Sequence, residues 1–188
     1  MKFNHTAVSA TCHPERRQMV ILMCLLLWSI ISFLFVSRFL FRGAMVDGDS
    51  MLPGLGNGDR MLIDRTAYWR GVPAAGDIVA IQVPGEDLMV KRVIGCPNDV
   101  VRIPDGRVMV NGHPLPESYL AAGTVTQPGR LSTNPYAVQS ECYFVLGDNR
   151  GVSIDSRFFG AVRRDRIVGR VTGLRQAWNE LSTAVTGL

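Results

Sequence analysis

The stretch Gly48-Asp-Ser-Met-Leu-Pro53 separates two differently patterned parts of this chain of 188 residues. A long apolar run precedes it, and short alternating or apolar runs with Gly and Pro between them follow it. Glycine permits unusual backbone angles and proline fixes another, so the stretch is typical of a tight turn that exposes the Ser50 hydroxyl. Serine in such a turn usually only shapes the turn, so a nucleophile here needs support from elsewhere in the chain.

The apolar run before this turn has the length of a membrane-spanning helix. It extends from Met19 to Val36, and its only polar residues are two serines. Roughly 20 apolar residues span the hydrocarbon core of a bilayer. A cleaved signal peptide would have a shorter run followed by small residues, whereas bulky and charged residues follow here. We therefore predict a transmembrane anchor over residues 19–41 after a tail over residues 1–18, and arginines on both sides of the run leave its orientation open.

Residues 42–188 are predicted to form a mostly β domain with antiparallel pairing, because short strand-like runs alternate with turn residues. Residues 113–140 show no clear period and are predicted to form an extended loop or weak strands at the periphery. Leu174–Leu188 carries one apolar helical stripe, which predicts a helix that packs on the domain or frays at its end, with a surface helix at the lipid interface as the alternative. The predicted strands are Arg60–Asp64, Ile78–Val83, Leu88–Ile94, Val100–Ile103, Arg107–Val110, Cys142–Leu146 and Ile167–Thr172, with a hairpin joining the fourth and fifth.

The composition argues against several classes of function. The formal net charge is +4, and the basic residues are scattered instead of being interleaved with aromatics, which disfavours a nucleic-acid site and favours attraction to anionic lipid. The four cysteines form no Cys-x-x-Cys pair, and the three histidines lack the spacing of metal ligands. We therefore predict no metal, no cofactor and no nucleic-acid partner.

Lys91 lies within the predicted strand Leu88–Ile94. Side chains alternate along a strand, so Lys91 shares a face with Met89 and Val93. Desolvation on an apolar face disfavours the charged ammonium and lowers the pKa of a lysine toward neutrality, which suits a general base. The alternative is a lysine at a sheet edge whose ammonium reaches water.

The stretch Gly147–Gly160 is rich in turn formers and hydrogen-bonding side chains, and it follows a predicted strand. Such a loop can hold a hydroxyl, a carboxylate and a guanidinium in fixed relation, and Asp155 and Arg157 are predicted to form a charge-assisted pair. An ordinary polar surface loop is the alternative.

Together these three pieces resemble the sequence boxes of the type I signal peptidases, or bacterial leader peptidases, which are membrane-anchored serine proteases with a Ser-Lys dyad. The order of the boxes is the same, the anchor lies where the family has one, and the resemblance covers residues 20–172. The matching stretches are Gly48–Pro53 for the nucleophile box, Gly76–Val79, Val90–Gly95 and Asp99–Val101 for the lysine box, and Gly147–Arg150 with Ser153–Gly160 for the last box.

The resemblance implies a catalytic dyad. Ser50 would be the nucleophile, and a neutral Lys91 would take its proton and later give it to the leaving amine, without a histidine. The backbone N–H of Ser50 would serve the oxyanion hole. Some members add a serine hydroxyl two residues before the nucleophile, where this chain has Gly48.

The resemblance also implies residues that support the dyad. Ser153 would orient Lys91 through a hydrogen bond. Asp155 would pair with Arg157 and with Arg92. The full set of supporting residues is Ser153, Asp155, Arg157, Arg92, Gly48 and Asp148.

A substrate and a location follow from the same resemblance. The substrate would be the signal peptide of a secreted preprotein, added as an extended strand with small residues at positions −1 and −3 of the cleavage site. The chain would be a single-pass protein of the bacterial inner (plasma) membrane, in contact with lipid, with its N-terminus in the cytoplasm and its β domain outside. In that oxidising location Cys96 and Cys142 are candidates for a disulfide, which the sequence leaves open.

Three alternatives compete with this interpretation. A conjugative-transfer peptidase that processes pilin precursors would use the same dyad. A LexA-like self-cleaving repressor would need a DNA-binding helix-turn-helix where this chain has its apolar run. A non-enzymatic, membrane-tethered β domain would use Ser50 and Lys91 only structurally.

Overall fold

The computed structural model describes residues 14–83, 85, 87–131 and 135–173. The predicted C-terminal helix over Leu174–Leu188 and most of the predicted N-terminal tail lie outside these residues. The chain divides into two compact units, Met1–Arg38 and Phe39–Leu188, which are described separately below.

The first unit contains most of a single long helix, α1, which covers Pro14–Leu40. Its segment Arg16–Val36 is long and apolar enough to cross a membrane, and none of that segment is buried within the structure. A helix satisfies every backbone hydrogen bond within itself, which is the requirement for a segment in hydrocarbon. The apolar run therefore forms the helix that its composition predicts.

The second unit consists of two antiparallel sheets, as the pattern of short strands predicts. The larger sheet has the strand order β1-β2-β11-β3-β4-β9-β10, and the smaller has the order β7-β6-β5-β8. The strands are β1 Phe41–Met45, β2 Arg60–Asp64, β3 Ile78–Gln82, β4 Leu88–Gly95, β5 Val100–Arg102, β6 Met109–Val110, β7 His113–Pro114, β8 Tyr136–Ala137, β9 Cys142–Leu146, β10 Val162–Arg163 and β11 Ile167–Gly173. A short helix α2 covers Ser156–Phe159, and 3₁₀ turns cover Pro104–Gly106, Gly129–Leu131 and Arg164–Arg166.

The seven predicted strands are all present, with ends that differ by up to two residues. The hairpin is also confirmed, because β5 pairs with β6. The strand β1 was not predicted: α1 ends at Leu40, and Phe41 to Met45 pair residue by residue with β2. That pairing depends on a partner strand about twenty residues away, so the local pattern of β1 could not reveal it.

The hydrophobic core ties the turn around Ser50 to the central sheet. Met51, which directly follows Ser50, and Leu55, just after the turn, are buried in one apolar cluster with Ile63 of β2 and Val90 of β4. Burial of apolar surface stabilises by roughly 25 cal/mol per Å² removed from water, so these side chains hold the turn against the strand that carries Lys91. The core therefore brings together residues that are far apart in the sequence.

Candidate active site

Ser50, within the turn Gly48–Pro53, lies in contact with Lys91 in the middle of β4. Lys91 Nζ lies 2.9 Å from Ser50 Oγ, although the two residues are 41 positions apart. The turn begins at Gly48, whose φ of +88° is a conformation that favours glycine, and the Gly48 N–H donates to Asn57 Oδ1 at 3.2 Å. The structure thus brings the predicted hydroxyl and amine into direct hydrogen-bond contact.

The surroundings of Lys91 lower the pKa of its ammonium. The residue is only 3% exposed, and burial, the largest cause, disfavours the charged form. Arg157 lowers the pKa further, while the carboxylates of Asp155 and Asp148 oppose the shift without cancelling it. Lys91 is therefore not the exposed edge lysine of the alternative interpretation, and its amine is suited to accept a proton from Ser50.

The backbone N–H of Ser50 donates to no acceptor within the described residues. It is therefore available to the oxyanion that forms on a carbonyl group attacked by the Ser50 hydroxyl. Gly48 supplies no hydroxyl, so this chain lacks the side-chain donor that some signal peptidases carry at this position.

Asp155 and Arg157 form the predicted ion pair in a bidentate geometry. Arg157 Nε donates to Asp155 Oδ1 and Nη2 to Oδ2, both at 2.8 Å, and both side chains are buried. Asp155 also accepts from the backbone N–H of Gly147 at 3.0 Å, and Arg157 Nη2 donates to the Ser153 carbonyl at 3.1 Å. The pair therefore fixes the backbone of the loop on either side of Ser153.

Arg92 pairs with Asp148 and not, as the sequence predicts, with Asp155. Its Nε donates to Asp148 Oδ1 at 2.9 Å and its Nη2 to Oδ2 at 2.6 Å, while Nη1 donates to the Gly76 carbonyl. Neighbouring side chains on a strand point to opposite faces, so Arg92 points away from the face on which Lys91 lies. Asp148 is the carboxylate that it meets there.

The predicted hydrogen bond between Ser153 and Lys91 is not formed. Ser153 Oγ is buried and has no hydrogen-bond partner within the described residues. The side chain instead packs against Gly147, where an added Cβ would overlap Ser153 Oγ and the carbonyl oxygen of Ser50. The sequence places Ser153 in the correct loop, but the rotamer and the packing of that loop decide what the hydroxyl contacts.

Asn149 was not singled out by the sequence, yet it is hydrogen-bonded directly to the turn Gly48–Pro53 that contains Ser50. Its backbone N–H donates to the Ser50 carbonyl at 3.0 Å, and its Nδ2 donates to the Asp49 carbonyl at 3.1 Å. The only sequence signal was its place within the last box, which assigns no partner to it.

Arg150 is a second residue that the sequence did not single out. Its side chain is fully buried, and it donates to the Gly147 carbonyl, to Thr126 Oγ1 at 2.6 Å and to Glu117 Oε1 at 2.5 Å. Two of these partners, Glu117 and Thr126, belong to the peripheral segment 113–140. Because this segment shows no strand or helix period, the sequence did not indicate that its side chains contact the site.

Cys96 and Cys142 are free thiols, so no disulfide joins them. Cys142 is buried in a cluster with Ile94 and Phe144, whereas Cys96 packs against a different cluster and lies near the Pro73 carbonyl. The two thiols therefore lie in different parts of the core. Among the described residues, no group of three or more His, Cys, Asp or Glu side chains is placed to hold a metal ion.

Comparison with known proteins identifies the family. Residues 17–174 match the family model of signal peptidase, peptidase S26. The chain is 35% identical over 152 residues to signal peptidase I of Leptolyngbya laminosa, covering 76% of this chain and 72% of that protein. It is also 35% identical over 161 residues to signal peptidase I S of Bacillus subtilis strain 168, covering 81% of this chain and 86% of that protein.

One similar solved structure is a crystal structure of a signal peptidase I from Enterococcus faecalis V583. It shares 34% sequence identity with a TM-score of 0.46, and the match covers 53% of this chain and 97% of that chain. The family match extends over most of the chain and includes both Ser50 and Lys91. The chain therefore belongs to the signal peptidase family S26, the serine endopeptidases that remove signal peptides.

Proposed function

We propose that this signal peptidase cleaves membrane-delivered preproteins through an acyl-enzyme, with Ser50 as the nucleophile and Lys91 as the general base. The contact of 2.9 Å between Lys91 Nζ and Ser50 Oγ carries this assignment. Its relatives are signal peptidases, so neither the pilin-processing nor the non-enzymatic alternative is favoured.

The reaction begins with proton transfer. The neutral Nζ of Lys91 takes the proton of Ser50 Oγ as that oxygen attacks the scissile carbonyl carbon, and the oxyanion accepts a hydrogen bond from the Ser50 N–H. The C–N bond then breaks, and the ammonium of Lys91 gives its proton to the leaving amine of the mature protein. Lys91 then takes a proton from water, which attacks the ester carbonyl; the bond from the acyl carbon to Ser50 Oγ breaks, Lys91 returns the proton to Ser50 Oγ, and the signal peptide leaves with a carboxylate end.

The substrate is proposed to add to an open edge of β4. The strand β9 pairs with β4 from Arg92 to Gly95, and no described strand covers Leu88 to Lys91 on that side. An extended peptide that adds a strand there forms main-chain hydrogen bonds and brings its scissile bond to Lys91. Small residues at positions −1 and −3 would point toward the apolar cluster beneath the turn, which contains Met51 and Val90.

The membrane arrangement is part of the same proposal. The helix α1 anchors the chain in the bacterial inner membrane, with the N-terminus in the cytoplasm and the β domain outside. Tethering the protease to the membrane that delivers its substrate raises the effective concentration of each for the other. The length and composition of Arg16–Val36 support the span.

The test compares the native chain with Ser50→Ala and Lys91→Ala on a preprotein that has a small-x-small cleavage site, in lipid or detergent. Loss of the nucleophile or the base should lower the cleavage rate by about three orders of magnitude or more. Arg163→Met is the matched control, since Arg163 belongs to an exposed ion pair with Asp165.

All variants are checked for equal unfolding temperatures. A folded native chain that leaves the preprotein intact would overturn the proposed function. A Lys91→Ala variant with native activity would overturn the role of the base while leaving the enzyme class in place.

A further inference from the structure

Asn149 makes two hydrogen bonds to the backbone of the nucleophile turn, Gly48–Pro53. Its two hydrogen bonds, to the carbonyl oxygens of Asp49 and Ser50, join segments that are 100 positions apart in the sequence. The orientation of the Ser50 backbone, and with it the direction of the hydroxyl, therefore depends on where Asn149 lies.

The position of Asn149 is set by charged neighbours on both sides. Asp148 is bound by Arg92, and its side chain is 1% exposed. Arg150 is bound by Glu117, and its side chain is 0% exposed. Buried, charge-assisted pairs of this kind have few alternative geometries, so the backbone between them has little freedom.

Both arginines are contacted by a single turn of the peripheral segment. Glu117 Oε1 accepts from Arg150 Nη2 and also from the hydroxyl of Tyr119, at 2.5 and 3.0 Å. The ring of Tyr119 lies over the guanidinium of Arg92, with 4.0 Å between Arg92 Cζ and the ring centroid. Burial and the nearby Glu117 carboxylate raise the pKa of Tyr119, which keeps its hydroxyl a hydrogen-bond donor.

We propose that Glu117 and Tyr119 are positioning residues for the nucleophile Ser50. Glu117 acts through Arg150, and Tyr119 acts through Arg92. Both arginines fix the loop that contains Asn149, and Asn149 donates hydrogen bonds to the nucleophile turn. This inference rests on the proposed role of Ser50. A displacement of about 1 Å in a reacting group can cost about 100-fold in rate, so residues remote from the substrate can control the chemical step.

A purely structural role makes a different prediction. Removing Glu117 leaves the buried charge of Arg150 without its carboxylate, which lowers stability whatever the role in catalysis. A structural residue changes the unfolding temperature, but the molecules that remain folded cleave at the native rate. A positioning residue lowers the rate of the chemical step in folded molecules while substrate binding is unchanged.

The experiment uses the full chain in lipid vesicles and measures single-turnover cleavage of a preprotein, together with KM, well below the unfolding temperature. Glu117→Ala and Tyr119→Leu should lower the single-turnover rate about 10- to 100-fold, with KM within about twofold of native. Glu117→Gln keeps an acceptor for Arg150, so it should retain more activity than Glu117→Ala. Tyr119→Phe keeps the ring over Arg92, so it should retain more activity than Tyr119→Leu. Asp165→Asn, in an exposed ion pair, is the control and should match the native chain.

The outcomes separate this inference from the proposed function. Failure of the native chain to cleave overturns the proposed function. A cleaving native chain whose folded Glu117→Ala and Tyr119→Leu variants keep the native single-turnover rate overturns the positioning role alone. If Glu117→Ala does not fold, Tyr119→Leu decides the question, because it leaves no buried charge without its partner.

Discussion

The burial of Lys91, which we propose as the general base, lowers the stability of the fold. Lys91 is 3% exposed, and the hydrogen bond to Ser50 Oγ is a weak substitute for the water that a charged ammonium loses. The same desolvation lowers its pKa, which is the property that a general base requires. At the scale of the residue, function and stability therefore oppose each other.

This opposition predicts that Lys91→Met stabilises the fold in a pH-dependent manner. Below the pKa that Lys91 has in the folded chain, the charge is buried and destabilises the native state. Between that pKa and the ordinary lysine value of 10.5, the folded chain releases its proton first, so native stability rises with pH. The advantage of the methionine should therefore be largest at low pH and should disappear above about pH 10.5.

Denaturant unfolding of the native chain and of Lys91→Met, measured across this pH range in detergent, tests the prediction. Arg163→Met, which removes an exposed cation, should show no such pH-dependent difference. A stability difference that is independent of pH would contradict a lowered pKa for Lys91.

At the scale of the element, the loop from Gly147 to Gly160 acts as a unit because its polar groups bond one another. Asp155 accepts hydrogen bonds from Arg157, from the Gly147 N–H and from the first turn of α2. Ser156 Oγ accepts from the backbone N–H of Val145 in β9. The loop is therefore a folded extension of β9 and not an ordinary polar surface loop.

Removing the charge of Asp155 should destabilise this element. Asp155→Asn leaves the guanidinium of Arg157 buried without a counter-charge, and breaking a buried pair in this way costs about 3–5 kcal/mol. Asp165→Asn, at an exposed pair, should change the free energy of unfolding by less than about 1 kcal/mol. If the two substitutions changed the free energy of unfolding equally, burial of the Asp155–Arg157 pair would make no difference to stability, and the prediction would be contradicted.

At the scale of the whole molecule, the β domain has a core of its own. Among the described residues, every member of the three apolar clusters lies at residue 44 or later, and the helical segment Arg16–Val36 has no buried residues. The hydrogen bond from the Arg65 N–H to the Leu40 carbonyl joins two residues of this same unit, Phe39–Leu188.

Removal of residues 1–38 should therefore leave the β domain folded. The free energy of unfolding of Phe39–Leu188 should differ from that of the full chain by less than about 0.5 kcal/mol, because the apolar clusters of the described domain contain no residue before Ala44. Cleavage of a soluble peptide should persist, while cleavage of a membrane-inserted preprotein should fall. Loss of the cooperative unfolding transition on truncation would show that the domain depends on the removed segment.

Much of this protein is determined by local sequence. The apolar run predicts α1, short alternating or apolar runs predict β2 to β6, β9 and β11, and the turn formers around Ser50 and in Gly147–Gly160 mark the two loops of the site. These features are local because residue size, backbone freedom and period act over a few positions. The proposed roles of Ser50 as nucleophile and Lys91 as base follow from the resemblance of ordered motifs, and the two side chains lie 2.9 Å apart in the structure.

Only the tertiary structure decided which side chains meet. Strand register and packing between distant segments decide that β1 pairs with β2 and that Arg92 pairs with Asp148. They also decide that the hydroxyl of Ser153 has no hydrogen-bond partner among the described residues. The contacts of Glu117 and Asn149 likewise join positions that are 33 and 100 residues from their partners. No local pattern encodes such contacts, because a charged or polar side chain has many candidate partners until the folded backbone brings one of them within hydrogen-bond distance.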